Sequence, residues 1–159
     1  MFSYGLDELP TREFFIGRYV HEWHTIIITL VSTGRAIGYA NFGPSSYSRS
    51  ANPVLADGNV IFVPEYRNRG LARTLMGILT LGAVVSGYKG GQSEWSMDNV
   101  ASGKVSMVDG SVANGVLPRG IFYRDVGWVD SCLAYKSLEM IDADKLMERF
   151  VNGRRKARL

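Results

Sequence analysis

The sequence is short of the residues that build disulfides and metal centres, with one cysteine, Cys132, and two histidines, His21 and His24. A single thiol cannot form an internal disulfide, so a reducing, cytoplasmic setting is the simpler reading. So few Cys and His residues do not make a zinc site of the usual kind. His21 and His24 flank Glu22-Trp23 and fall short of an HExxH pattern, so no metal is expected. Long apolar runs are also missing, none approaching the ~20 residues that span a bilayer. The start MFSYGLDELP lacks the basic-then-apolar order of an export signal, and no membrane partner is expected. Charge of one sign is scarce as well. The net charge is +3, and Arg154, Arg155, Lys156 and Arg158 at the end of the chain exceed it. The remainder is near balance, and the basic tail is either a contact for an anionic partner or a solvated end.

What is present is the composition of an ordinary globular protein, 46% hydrophobic and 21% charged over 159 residues. That length suits one domain, expected over residues 1–153 with a basic tail at 154–159. Residues 13–20 read as a strand, after a short helix or turn in LDELP. HTIIITLVS and AIGYANFG read as two strands joined by a turn at Ser32–Arg35. The Ser-, Pro- and Gly-rich stretch at 44–58 reads as a loop, with Asp57-Gly58 as a turn. NVIFVPEY is a strand that Pro64 ends or bends. Leu71, Leu75, Ile78, Leu79, Leu81 and Val85 then recur at helical spacing, marking a buried helix from Gly70 to Gly87.

Beyond it, KGGQ reads as a break and SEWSMDNV as a short strand ending at Asn99. Residues 101–121 hold one or two short helices, and IFYRDVGW is a helical turn closing on Gly127. DSCLAYKSLE is a strand containing Cys132 as a core residue. DADKLMERFVNG is a helix entered at Asp142 or Asp144 and ended by Gly153. The sum is an α+β domain around a mixed, mostly antiparallel sheet flanked by helices.

The junction VPEYRNRGLARTLM carries the chemistry. A helix that follows a strand through a basic turn presents unpaired N–H groups at its positive end, which suits a diphosphate. Gly70 permits close backbone approach or a positive φ, and Arg67, Arg69 and Arg73 add charge. The alternative is a solvent-capped helix start. Arg67, Asn68, Arg69, Gly70, Leu71 and Ala72 resemble the acyl-CoA-binding motif of the GNAT superfamily of N-acetyltransferases, Arg or Gln, two residues, Gly, one residue, then Gly or Ala. Asn99 after SEWSMD, and Tyr123 in FYRDVGW before Gly127-Trp128, resemble two later elements of that family.

The resemblance implies acetyl-CoA as cosubstrate, its pyrophosphate on the backbone of Asn68 to Arg73 and its pantetheine arm beside Phe62 and Val63. It also implies Asn99 as an orienting amide and Tyr123 as the acid that protonates the leaving thiolate. Tyr123 as a packed aromatic, and Asn99 as a helix cap, are the alternatives. Glu65 is the candidate base, with Asp98 and Glu94 in reserve, and a salt bridge from Glu65 to Arg67 is the competing role. The first forty residues read mostly as strands, so the helical N-terminal part of the family is shortened. The interval from Asn99 to Tyr123 is longer than the family's. The activity implied is acetyl transfer to a primary amine by direct attack on the thioester. The acceptor is a small molecule, peptide, protein or aminoacyl-tRNA. A toxin of this superfamily acting on aminoacyl-tRNA, or a non-catalytic module that binds CoA or a protein, are the other readings. One strand after Trp128 where the family often has two leaves room for a homodimer.

Overall fold

The computed structural model describes residues 11–17, 21, 23–48, 54–108 and 110–156. The chain runs α1 (Arg12–Ile16), β1 (His24–Thr29), β2 (Ala36–Pro44), β3 (Leu55–Phe62), α2 (Leu71–Val85), β4 (Gly90–Ser96), α3 (Val100–Val108), β5 (Val112–Tyr123), β6 (Gly127–Ser137) and α4 (Ala143–Lys156). The six strands form one mixed sheet in the order β1-β2-β3-β4-β6-β5. Every adjacent pair is antiparallel except β3 with β4. The expected α+β architecture is therefore the one observed.

The β1–β2 hairpin closes where the sequence places its turn. The Gly34 and Leu30 N–H groups donate to Leu30 and Arg35 carbonyls at 2.7 and 2.9 Å, and Gly34 takes the positive φ of 69° that the turn demands. α2 lies against β2 and β3 through Leu75, Leu79 and Ala83, which meet Ala40, Phe42, Ala56, Phe62 and Leu138 in one core. It comes close because Gly82 leaves space for the Phe42 ring: a Cβ there would stand 2.6 Å from Phe42 Cε1. α4 adds Phe150, whose ring meets α2 at Gly77. Cys132 is buried, as a core residue would be.

Several elements differ from the sequence reading. Residues 12–16 are helical rather than extended, because Thr11 caps the start by accepting from Phe14 N–H at 3.2 Å; residues 6–10 and 18–20 lie outside the described set. Leu55 to Gly58 belong to β3, so Asp57-Gly58 is not a turn: cross-strand pairing with Gly43 and Phe42 outweighs the local turn preference. Gly90 and Gly91 open β4 rather than break the chain, held by Ser137 and Lys136 opposite. Residues 101–121 supply only the helix α3, followed by the long edge strand β5. IFYRDVGW is the β5–β6 hairpin, with Tyr123 facing Gly127, not a helical turn. α4 continues through Gly153 to Lys156.

Candidate active site

β3 and β4 pair only at Leu55–Gly90, Ala56–Gly91 and Asp57–Gln92, and then part. The parting leaves strand backbone without a partner. Val63 N–H donates to Ile37 at 3.0 Å and Ser45 N–H to Leu55 at 2.9 Å. These bonds fix the odd-numbered residues of β3 as those that bond β2. By the alternation of an antiparallel ladder, Gly58, Val60 and Phe62 turn their N–H and C=O groups towards the opening. Phe62 is thus presented to the split, whereas the N–H of Val63 is spent on β2. At the closed end a small cavity of ≈ 50 Å³ lies under α2, lined in part by Gly58, Gly91, Gln92 and Ser93.

The chain leaves β3 through a 3-10 turn, Pro64–Tyr66, and reaches α2 through two residues in the left-handed region, Asn68 at φ 58° and Gly70 at φ 75°. Asn tolerates that region better than most side chains, and Gly does so without cost. Gly70 stands in open space and caps α2 without a side chain. The N–H groups of Asn68, Arg69, Gly70, Leu71 and Ala72 find no acceptor among the described residues. They sit at the positive end of a 15-residue helix, beside the mouth of the split. Arg67 Nε donates to the Phe62 carbonyl at 2.9 Å, and the Arg69 guanidinium lies over the Tyr66 ring at 5.0 Å. Arg67, Arg69 and Arg73 are all exposed.

On the face of the sheet opposite α2, the lips of the split are polar. Asn41 and Asn59 pair across β2 and β3, and Asn41 Oδ1 accepts from both the N–H and the Nδ2 of Asn59 at 3.2 Å. Across the opening, Glu94 Oε1 accepts from Ser131 Oγ at 2.6 Å and Oε2 from the Tyr47 hydroxyl at 3.1 Å. Burial first, then the charge and hydrogen bond of Glu94 and the charge of Asp57, hold the Tyr47 hydroxyl above its usual range, so it keeps its proton and donates. Ser45 Oγ donates to Gln92 Oε1 at 3.4 Å.

The residues singled out in the sequence fall into two groups. Phe62, Val63, Arg67 and Asn68 to Arg73 converge at the mouth of the split. Asn99 caps α3, its Oδ1 accepting from Ser102 N–H at 3.1 Å. Glu65 is exposed in the 3-10 turn, and its carboxylate meets neither Arg67 nor any other partner among the described residues. Tyr123 ends β5, the outermost strand. β6 pairs Ser131 with Ser96 at the end of β4, and Tyr123 pairs with Gly127 four residues further on. At about 3.3 Å per residue, this sets the Tyr123 hairpin roughly 13 Å beyond the end of β4. His24 stacks on Phe42 at 4.7 Å, and no cluster of metal-ligating side chains occurs among the described residues. The polar face built by Asn41, Asn59, Ser96 and Ser131 was not foreseen. Its signal was a lone Asn inside the apolar run AIGYANFG and the alternating polar positions of SEWS.

A parallel strand pair that opens beside a basic helix start defines a protein built to hold an extended, phosphate-bearing ligand. More particularly, the fold is that of the GNAT-family acetyltransferases. A GCN5-related N-acetyltransferase from Kribbella flavida superposes with a TM-score of 0.73 at 19% identity, over 84% of this chain and 81% of the other. A GNAT-family acetyltransferase from Streptococcus pneumoniae gives 0.65 at 22%, over 79% and 74%. A GNAT superfamily phosphinothricin acetyltransferase from Sinorhizobium meliloti, solved in complex with acetyl-CoA, gives 0.64 at 18%, over 72% and 60%. No family model matches the sequence, and no curated protein does so.

Proposed function

We propose that the protein is an N-acetyltransferase that moves the acetyl group of acetyl-CoA to a primary amine. The observation that carries this is the parting of β3 from β4 after Asp57 and Gln92, beside the unpaired N–H groups of Asn68 to Ala72. Acetyl-CoA supplies the activated acyl group as a thioester. The helix start binds its pyrophosphate, and Arg67, Arg69 and Arg73 draw the anion in. The pantetheine amides take the strand position that β4 vacates, bonding to the backbone of Gly58, Val60 and Phe62. This leaves the acyl end at the closed end of the split, where the lips are polar.

At that point a neutral amine adds to the thioester carbonyl, the C–N bond forms, and the C–S bond breaks with the electron pair going to sulfur. The ammonium proton must leave before attack, so a carboxylate at the split serves this step better than one at its mouth. Glu65 and Tyr123 both lie away from the closed end, and this account gives neither the proton transfer.

The test is thiol release by purified protein supplied with acetyl-CoA and a panel of primary amines, with the products weighed by mass spectrometry. The expected result is amine-dependent thiol and a product heavier by one acetyl group. CoA binding without thiol release under any amine would make the protein a binding module instead.

A further inference from the structure

The polar lips of the split have a pattern of satisfied and unsatisfied groups that points to the chemical class of the acceptor. Ser96 and Ser131 face each other in register across β4 and β6, and both are buried, at 2% and 0% exposure. Ser131 Oγ donates to Glu94, whereas Ser96 Oγ has no partner at all. A buried hydroxyl left unpaired costs about 1–3 kcal/mol, so a group that completes it is expected. Ser96 lies two residues from Glu94 on β4, on the same face of the sheet. On the other lip, Asn59 uses its Nδ2 on Asn41 and leaves its own Oδ1 without a partner. Asn59 and Glu94 stand at the same level across the opening, each two residues beyond the last paired couple, Asp57 and Gln92.

Three acceptors therefore surround one point: a Glu94 carboxylate oxygen, Ser96 Oγ and Asn59 Oδ1. A primary ammonium carries three N–H donors and no acceptor, and fits that set. The neighbouring groups favour a cation further. Asp57 acts on the same Tyr47 hydroxyl that donates to Glu94, so two carboxylates converge there. None of the polar side chains on the lips, Asn41, Ser45, Tyr47, Asp57, Asn59, Gln92, Glu94, Ser96 and Ser131, is a Lys or Arg.

We propose that this pocket is the acceptor site and that it takes an aliphatic primary amine carrying a second cationic or hydrogen-donating group, a small diamine first, rather than an amine beside a carboxylate. The inference rests on the acetyl-transfer reading above. Glu94 receives the ammonium and removes one proton from it. The nitrogen lone pair then attacks the thioester carbonyl, and CoA leaves as a thiolate that takes up one of the remaining nitrogen protons. The balance is one ammonium and one acetyl-CoA to one amide, one CoA thiol and one released proton.

The test uses the full chain, the Glu94→Gln variant and the Asn59→Ala variant, with 1,4-diaminobutane and glycine as probes. Two readouts are taken: kcat/KM for thiol release, and the shift in Tm that each amine causes without acetyl-CoA. Calorimetric titration with CoA runs alongside on all three proteins. The expected result is a kcat/KM for the diamine at least about 100-fold above that for glycine, and a fall of about 100-fold in Glu94→Gln and about tenfold in Asn59→Ala. The diamine should raise the wild-type Tm and leave that of Glu94→Gln unmoved, while CoA binds all three proteins alike. Equal use of glycine and diamine, or a diamine Tm shift that survives Glu94→Gln, overturns the proposal. Loss of CoA binding by the wild type overturns the acetyl-transfer reading instead, and a diamine Tm shift would still report on the pocket.

Discussion

Arg67 Nε donates to the carbonyl of Phe62 at 2.9 Å, so the first arginine of the basic turn is tied to the last residue of β3. A residue that motif reading assigns to steering therefore also holds the mouth of the split in shape. Arg67→Gln removes both the charge and the fork geometry of the guanidinium. The bond is partly solvated, so the expected loss is modest: CoA affinity falls about three- to tenfold, or roughly 0.7–1.4 kcal/mol. The salt dependence of binding becomes shallower as well. Calorimetric titration at two ionic strengths checks both.

Gly70 has φ 75° and open space around its Cα, so the demand on it is conformational and not one of packing. A β-branched residue is the most strained choice in that region. Gly70→Val should lower Tm by a few degrees, as ~1–2 kcal/mol of strain does in a domain of this size. It should also weaken CoA binding at least about tenfold, because the N–H groups that face the pyrophosphate shift with it. A variant that binds CoA like the wild type would remove the turn from the binding site.

α4 begins at a carboxylate whose role can be read from pH. Lys145 N–H donates to Asp142 Oδ1 at 3.1 Å and Lys145 Nζ lies 3.3 Å from Oδ2. The backbone bond first and the side-chain contact second hold the Asp142 carboxyl below its usual range. A depressed carboxyl stabilises the fold above its unfolded pKa, and that contribution disappears as pH falls through the folded value. Asp142→Ala should therefore lower Tm at neutral pH, with the gap to wild type closing below about pH 4. A gap that stayed constant down to pH 2 would mean that the charge of Asp142 does not act.

Tyr123 gives the sharpest separation between motif and geometry. It sits beside the Phe122 and Trp128 rings, which meet at 5.3 Å, in the hairpin of the outermost strand. With its hydroxyl that far from the closed end of the split, Tyr123→Phe should leave amine-dependent thiol release within about twofold of wild type. A loss of 100-fold or more, the scale of a missing general acid, would bring the hairpin into the chemistry.

How much of this was legible in the sequence differs by element. The helix after Gly70 could be read because Leu71, Leu75, Leu79 and their neighbours carry its period without interruption. The phosphate-binding turn could be read because a positive φ and close backbone approach select for glycine at one position. The β5–β6 hairpin could not, because Arg124 and Asp125 at its tip satisfy a helical turn as readily as a hairpin, and only the pairing of Phe122 with Trp128 decides. The polar lips were hidden for the same kind of reason. Asn41, Asn59, Glu94 and Ser96 come from three strands, and nothing local tells that their register aligns them around one opening.

The central claim is that acetyl-CoA occupies the split between β3 and β4 with its pyrophosphate on the start of α2. Amide hydrogen exchange with and without saturating acetyl-CoA tests it most directly. The account predicts saturable one-to-one binding with slowed exchange at Gly58, Val60 and Phe62 and at Asn68 to Ala72, and little change along β1. Failure to bind at millimolar acetyl-CoA, or protection confined to other parts of the chain, would contradict it.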